Sequence, residues 1–352
     1  MLPVLRWAPL RAKLRALMRR PSRWSKLATL GIVAGLTGCG TLPPDTSQFL
    51  RSEAVREPAR GAGHAESLLT EPDGTTLYVQ SWRPRAPRGV LVIVHGLRDH
   101  SGRYARLAKE LLARGFAVYA PDLRGHGRSS GPRVTVDRFD QYLSDVDAAL
   151  GYVRGREGSN VPLFLMGHSM GGAIVALHAE RPTSHIDGLI LSAPAIESYA
   201  SRFERCGANM LADFSPMAPV FSLDMSKWSR VPAVRRDNEG DPLVYQRGAP
   251  IATGTMLLDA SDEALAGAPF VHVPLLAMHG LGDRITNPAG SKAFVAASRS
   301  SDKTLKTYPK LYHDLWNEPE RATLVADLVG WLSAHAPLEE VPGASEIEEP
   351  SP

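Results

Sequence analysis

Cysteine is scarce, with only Cys39 and Cys206 in 352 residues, and that excludes a disulfide framework as the source of stability. No apolar run reaches the roughly 18 residues that a membrane-spanning helix needs, so a polytopic membrane protein is excluded. Internal repeats are missing. So is any pair of histidines with nearby acids at metal-ligand spacing, and no metal or other cofactor is expected. The net charge of +3 is unevenly spread. Residues 1–38 hold eight Lys/Arg and no acid, and the last 14 residues hold five glutamates and no base. The stretch between them is neutral, with 32 residues of each sign. A nucleic-acid partner would ask for a basic excess in the folded part, so none is expected. What is present is globular composition, 43% hydrophobic and 22% charged, in a chain long enough to bury a substantial core.

The first 38 residues read as an address. A basic stretch leads into a short apolar run, Leu27 to Gly38, that ends in small residues, which is the layout of a secretory signal. Leu36-Thr37-Gly38-Cys39 resembles the lipobox of bacterial lipoproteins. The expectation is that Cys39 carries the lipid and becomes the new N-terminus, with the domain that follows held outside the cytoplasm, anchored to a membrane of the cell envelope. Residues 39–64, rich in Pro, Ser, Arg and Gly, then form a flexible tether. The domain proper spans 65–336, and 337–352 is an acidic, disordered tail. Cys206 would be left without an intrachain partner, as a small buried or interface residue.

Between tether and tail, strands alternate with helices. Gly89–Val94, Phe116–Ala120, Leu163–Met166, Gly188–Ser192 and Pro274–Met278 are short apolar runs of the kind buried on both faces of a parallel sheet. Helical spacing of apolar residues follows at Tyr104–Leu112, Phe139–Val153, Met170–Glu180, Ala289–Ala297 and Glu320–Ala334. Thr76–Trp82 and Thr304–Tyr308 complete the strands. This alternation predicts a doubly wound α/β sheet. About 75 residues of weaker pattern interrupt it, and we place a cap insertion at roughly 197–270. Ligands bind at the carboxyl edge of such sheets, so the insertion is positioned as a lid.

Gly167-His168-Ser169-Met170-Gly171 follows one of the buried strands and opens a helix. A tight strand-to-helix turn of this kind exposes a serine hydroxyl above the sheet, and glycines relieve the crowding beside it. Ser169 is therefore the expected nucleophile. It needs a base, and the base needs an orienting carboxylate, in the chain order Ser, Asp, His. Asp283, just past a strand, is the expected orienter, and His313, before the closing helix, the expected base. Asp259, Asp262 and Asp314 are the rival acids. His95, His126, His168 and His279 are expected to brace loops. The oxyanion formed during acyl transfer needs donors, and the backbone amides of Leu97 and Met170 are chosen.

Together these motifs resemble the monoacylglycerol lipases. The resembling segments are His95 to Tyr104, Pro121 to Ser129, Gly167 to Gly172, His279 to Asp283 and Tyr312 to Pro319, in that family's order across roughly 66–335. The resemblance implies an α/β-hydrolase fold whose cap shapes an apolar acyl tunnel. It implies a serine ester hydrolase acting on monoacylglycerols or similar amphiphilic single-chain lipid esters, with Ser169, Asp283 and His313 as its triad. Lysophospholipase, short-chain carboxylesterase and aminopeptidase activities share those residues, and a non-catalytic envelope binding protein is the alternative of another class. Leu97-Arg98 departs from the small residues common at that point of the family. Met210, Leu211, Phe214, Met217, Val220 and Phe221 are expected either to line the tunnel or to pack the lid onto the core.

Overall fold

The computed structural model describes residues 62–221 and 224–336. The signal segment, Cys39, all but the end of the tether and the acidic tail lie outside the described residues. So do the side chains of Val220 and Phe221.

An eight-stranded sheet runs through the domain in the order β1-β2-β4-β3-β5-β6-β9-β10. Its strands are β1 (Gly63–Thr70), β2 (Thr76–Arg83), β3 (Gly89–Val94), β4 (Phe116–Pro121), β5 (Leu163–His168), β6 (Gly188–Ser192), β9 (Leu275–Gly280) and β10 (Lys303–Tyr308). β2 is antiparallel to both β1 and β4, and every pairing from β4 onward is parallel. β1 lies beyond the first expected strand, and it takes up Gly63 and His64 from the end of the segment read as tether. Its alternating, half-exposed pattern is that of an edge strand and gives a weak apolar signal.

The central strands β3 and β5 are buried along their whole length. Side chains alternate across a strand, so each strand feeds two layers. Val90, Val92 and Val94 join one core cluster, with Leu165 and Ile174, while Leu91 and Ile93 join the other, with Phe164 and Leu328. The first layer is covered by α2 (Asp140–Glu157), α3 (Met170–Ala179), α7 (Ile251–Gly267) and α8 (Pro288–Ala297), the second by α1 (Ala105–Leu112) and α9 (Arg321–His335). Each large side chain fully removed from water contributes about 1.5–3 kcal/mol.

The interruption between β6 and β9 contains α4 (Arg202–Phe214), β7 (Pro219–Phe221), α5 (Met225–Trp228), α6 (Pro232–Gly240), β8 (Ala249–Pro250) and α7. α7 belongs to both cap and core, because its Ala260 and Ala264 sit in the first core cluster. The boundary between cap and core therefore falls within that helix rather than at residue 270.

Candidate active site

Four strand ends build the site. After β3 the chain turns at His95-Gly96. The N–H of Leu123 donates to His95 Nε2 at 2.9 Å, so Nδ1 carries the ring proton and donates to the Gly96 carbonyl at 2.7 Å. Burial also pushes the His95 pKa down, keeping the ring neutral. With the Gly96 carbonyl turned toward His95, the trans peptide directs the Leu97 N–H the opposite way. No hydrogen bond among the described residues engages that N–H or the N–H of Met170.

After β5, Ser169 adopts φ 56° and ψ −120°, a left-handed conformation that non-glycine residues rarely hold and that marks functional strain. The glycines around it are steric requirements. A Cβ on Gly167 would stand 2.2 Å from the Gly171 carbonyl oxygen, and one on Gly171 would stand 2.2 Å from that of Val94. The Ser169 N–H donates to the Ser192 carbonyl at 3.1 Å, and the Ser169 carbonyl accepts from Ala195 N–H at 2.9 Å, which fixes the elbow against the end of β6.

Asp283 follows β9 and His313 follows β10. His313 Nδ1 donates to Asp283 Oδ2 at 2.8 Å. The two loops meet backbone to backbone: Gly282 N–H donates to the Leu311 carbonyl at 3.0 Å, and a Cβ on Gly280 would stand 2.3 Å from that carbonyl oxygen. Asp283 is fully buried. Burial raises its pKa, but His313 and His279 outweigh that and hold the carboxyl far below the usual carboxylate range. Its oxygens also accept from Ile285 N–H at 2.7 Å and from the Thr286 hydroxyl at 2.9 Å. His279 Nε2 lies 3.2 Å from Asp283 Oδ2, so this histidine supports the carboxylate directly. His168, its pKa pushed well down by burial and then by His313, stays neutral beside His313, with the ring centroids 4.8 Å apart. Of the rival acids, Asp262 pairs with Arg205. Asp314 bonds Arg103 and Asn317, with its pKa pushed up to about 6 by burial against the pull of Arg103. Asp259 lies on α7 and takes no part in the pair.

The remaining motifs brace this constellation. Asp122 accepts from Ser101 N–H at 2.7 Å and Arg128 N–H at 2.8 Å, tying the loop after β4 to the loop after β3. Arg103 sits over the Trp228 ring at 4.6 Å and reaches Asp314 at 3.3 Å, joining cap to floor next to His313.

Ser169, His168 and His313 open into a cavity of about 200 Å³ that is also lined by Leu97, Arg98, Met225, Trp228, Val244, Leu257, Leu258 and Ile285. The apolar wall thus comes from α5, α7 and the segment before β8. The expected tunnel residues are elsewhere. Met210 (61% exposed), Phe214 (86%), Leu211 and Met217 face outward. Helical spacing gives a stripe of apolar residues on α4 but does not say whether that stripe turns inward. Cys206, expected to be buried or at an interface, is exposed on the same helix. Trp228, Leu257 and Leu258 were missed because an apolar residue in a helix reads as ordinary packing.

The family described as serine aminopeptidase, S33, matches residues 85–320. This chain belongs to that family. It is 34% identical to the monoacylglycerol lipase of Mycolicibacterium smegmatis over 74% of this chain and 94% of that protein. It is 33% identical to the monoglyceride lipase of Mus musculus, over 75% of this chain and 89% of that protein. Among solved structures, the Paleococcus ferrophilus monoacylglycerol lipase superposes with a TM-score of 0.66 at 31% identity, covering 74% of this chain and 99% of that one. The fold is that of an α/β-hydrolase, and the chain is a serine hydrolase acting on esters.

Proposed function

We propose that this serine hydrolase cleaves monoacylglycerols and similar single-chain lipid esters at a membrane surface. Ser169 is the nucleophile, His313 the general base and Asp283 the group that orients it. The observation that carries the reading is the 2.8 Å His313–Asp283 bond beside a largely apolar cavity that His313 and the strained Ser169 both line. The monoacylglycerol lipases among its relatives supply the substrate class.

In the first step His313 accepts the Ser169 proton as Oγ attacks the ester carbonyl. The tetrahedral oxyanion is held by the free N–H groups of Leu97 and Met170, the latter at the N-terminus of α3, where the helix dipole also favours negative charge. The carbon–oxygen bond to glycerol breaks, and the alcohol leaves with the proton from His313. Water activated by the same histidine then releases the fatty acid. Asp283 stays ionised throughout and stabilises the imidazolium.

Two features support a lipid surface as the setting of the reaction: the lipobox-like segment ending in Cys39, and the outward apolar side chains of α4, with Phe203 88% exposed. A lipidated Cys39 anchors the domain to an envelope membrane, outside the cytoplasm. The deciding test is hydrolysis of a chain-length series of monoacylglycerols, with Ser169→Ala alongside. Preference for medium or long chains, lost in the variant, is expected. Turnover of short esters or peptides alone would overturn the lipid reading. Cys39→Ser should release the protein from membranes, and unchanged partitioning would remove the anchor.

A further inference from the structure

We infer that Arg98 makes the cavity a receptor for an anionic phosphate on the alcohol side of the ester, so that lysophosphatidic-type lipids are hydrolysed alongside neutral monoacylglycerols. This rests on the ester-hydrolase reading above. Arg98 lines the cavity with Ser169 and His313 and is only 7% exposed. Its Nε donates to the Tyr245 carbonyl at 2.5 Å, and its own carbonyl accepts from Tyr245 N–H at 3.2 Å. Its two terminal nitrogens find no acceptor among the described residues.

The other buried or largely buried arginines differ. Arg103, Arg124 and Arg321 each meet a carboxylate, and Arg133 donates through both terminal nitrogens to the Gly127 and Leu243 carbonyls. A buried cation without a counter-ion is unfavourable, and burial depresses the Arg98 pKa accordingly. The same residue also holds φ 68°, in the left-handed region that favours glycine. Two independent costs coincide at one position on the wall of the site, and an anionic ligand would offset the electrostatic one.

The geometry selects the alcohol side. The sheet order β3-β5-β6 sets Ser169 between the loop carrying Arg98 and the loop carrying Glu197. The neighbouring Asp99 also lines the cavity, but Arg103 stands 3.4 Å from it and 3.3 Å from Asp314, and neither carboxylate forms an ion pair with Arg98 among the described residues. A Cβ built on Gly96 would lie 3.1 Å from Ser169 Cβ. Arg98 is two residues further along, so its Cα is at most about 7.6 Å from that of Gly96. A phosphate on glycerol is a few bonds from the ester oxygen and within a guanidinium's reach. A charge at the far end of a long acyl chain is not. The planar guanidinium suits two phosphate oxygens at once. Only the acyl carbon–oxygen bond breaks: water supplies the hydroxyl of the fatty acid and the proton of the leaving glycerophosphate, and the phosphate ester stays intact.

The test compares kcat/KM for oleoyl lysophosphatidic acid and for monoolein in the same neutral detergent micelles, using wild type, Arg98→Gly and Arg98→Lys. Glycine suits the backbone at this position, so Arg98→Gly is expected to fold. The ratio of phosphate ester to neutral ester should fall about tenfold or more in Arg98→Gly and by less in Arg98→Lys. An equal loss on both substrates would overturn the inference and leave Arg98 only as a strap to Tyr245. Turnover of monoolein with none of the lysophosphatidic acid by wild type would overturn it while sparing the proposed function. Turnover of neither would overturn both.

Discussion

The floor of the site and the outer half of the cap solve opposite problems. On the floor, loops from β3, β5, β9 and β10 touch backbone to backbone, and glycines stand where a single methyl group would collide with a carbonyl oxygen. On the cap, α4 carries Gly207 with nothing within 4 Å of a built Cβ, and it leaves Phe203, Met210 and Phe214 in water. Reacting groups need positions fixed to a fraction of an ångström, and close packing supplies them. A surface that meets lipid needs only its chemical character.

The largest effect that would break the comparison is catalytic. Asp283→Asn should lower kcat on any ester about 10⁴-fold with little change in fold, because the amide no longer stabilises the imidazolium of His313. A loss below tenfold would remove Asp283 from its role. The next contrast makes one substitution in both regions. Gly171→Ala should destabilise by about 3 kcal/mol or more in urea unfolding, since the Val94 carbonyl cannot move away cheaply. Gly207→Ala should stabilise by about 0.5–1 kcal/mol through helix propensity. Effects of equal sign would end the distinction. Phe203→Ser with Phe214→Ser should leave turnover of a soluble short ester within about twofold, as exposed substitutions do. Binding to lipid vesicles should weaken about tenfold. Unchanged vesicle binding would mean that α4 does not meet lipid.

The smallest effect lies where the two regions join. His100 Nε2 on the floor is 2.9 Å from Asp241 Oδ2 on the cap. Burial lowers the His100 pKa, but Asp241 and the nearby Asp122 and Asp99 raise it further, so it ends above 6.5. The Asp241 carboxyl is held low, chiefly by His100. A raised histidine contributes fully below its unfolded value and loses its contribution as pH rises through the folded one. A depressed carboxylate contributes above its unfolded value and loses its contribution as pH falls. The clamp is thus firmest from above the ordinary carboxylate range up to the unfolded histidine value of 6.5, and it weakens as pH rises past that. On the alkaline side it should weaken by about 1 kcal/mol or less. Intrinsic-rate-corrected hydrogen exchange around Tyr245 should speed up from about pH 6 to pH 8, and His100→Ala should abolish that dependence.

How much was legible followed the same division. The continuous apolar runs of β3, β5 and β6, the elbow at Ser169, and the strand-end positions of Asp283 and His313 are local signals, because burial on both faces and a forced turn each leave a mark in a few adjacent residues. β1 was missed because an edge strand has only one face to bury. The apolar stripe of α4 leaves tunnel lining and lid packing both open, and the cavity wall comes instead from α5, α7 and the segment before β8. An amphipathic stripe says that one face is apolar, not what that face meets.

By itself, the sequence determined the alternation of strands and helices, the glycine-flanked turn at Ser169, and the order along the chain of the residues proposed as nucleophile, orienter and base. Only the tertiary structure decided that His279 joins His313 on Asp283, that Arg98 lies on the cavity wall with no carboxylate partner among the described residues, and that the apolar side chains of α4 face out. Those facts concern residues far apart in the chain, and their energies depend on which neighbours packing brings within a few ångströms.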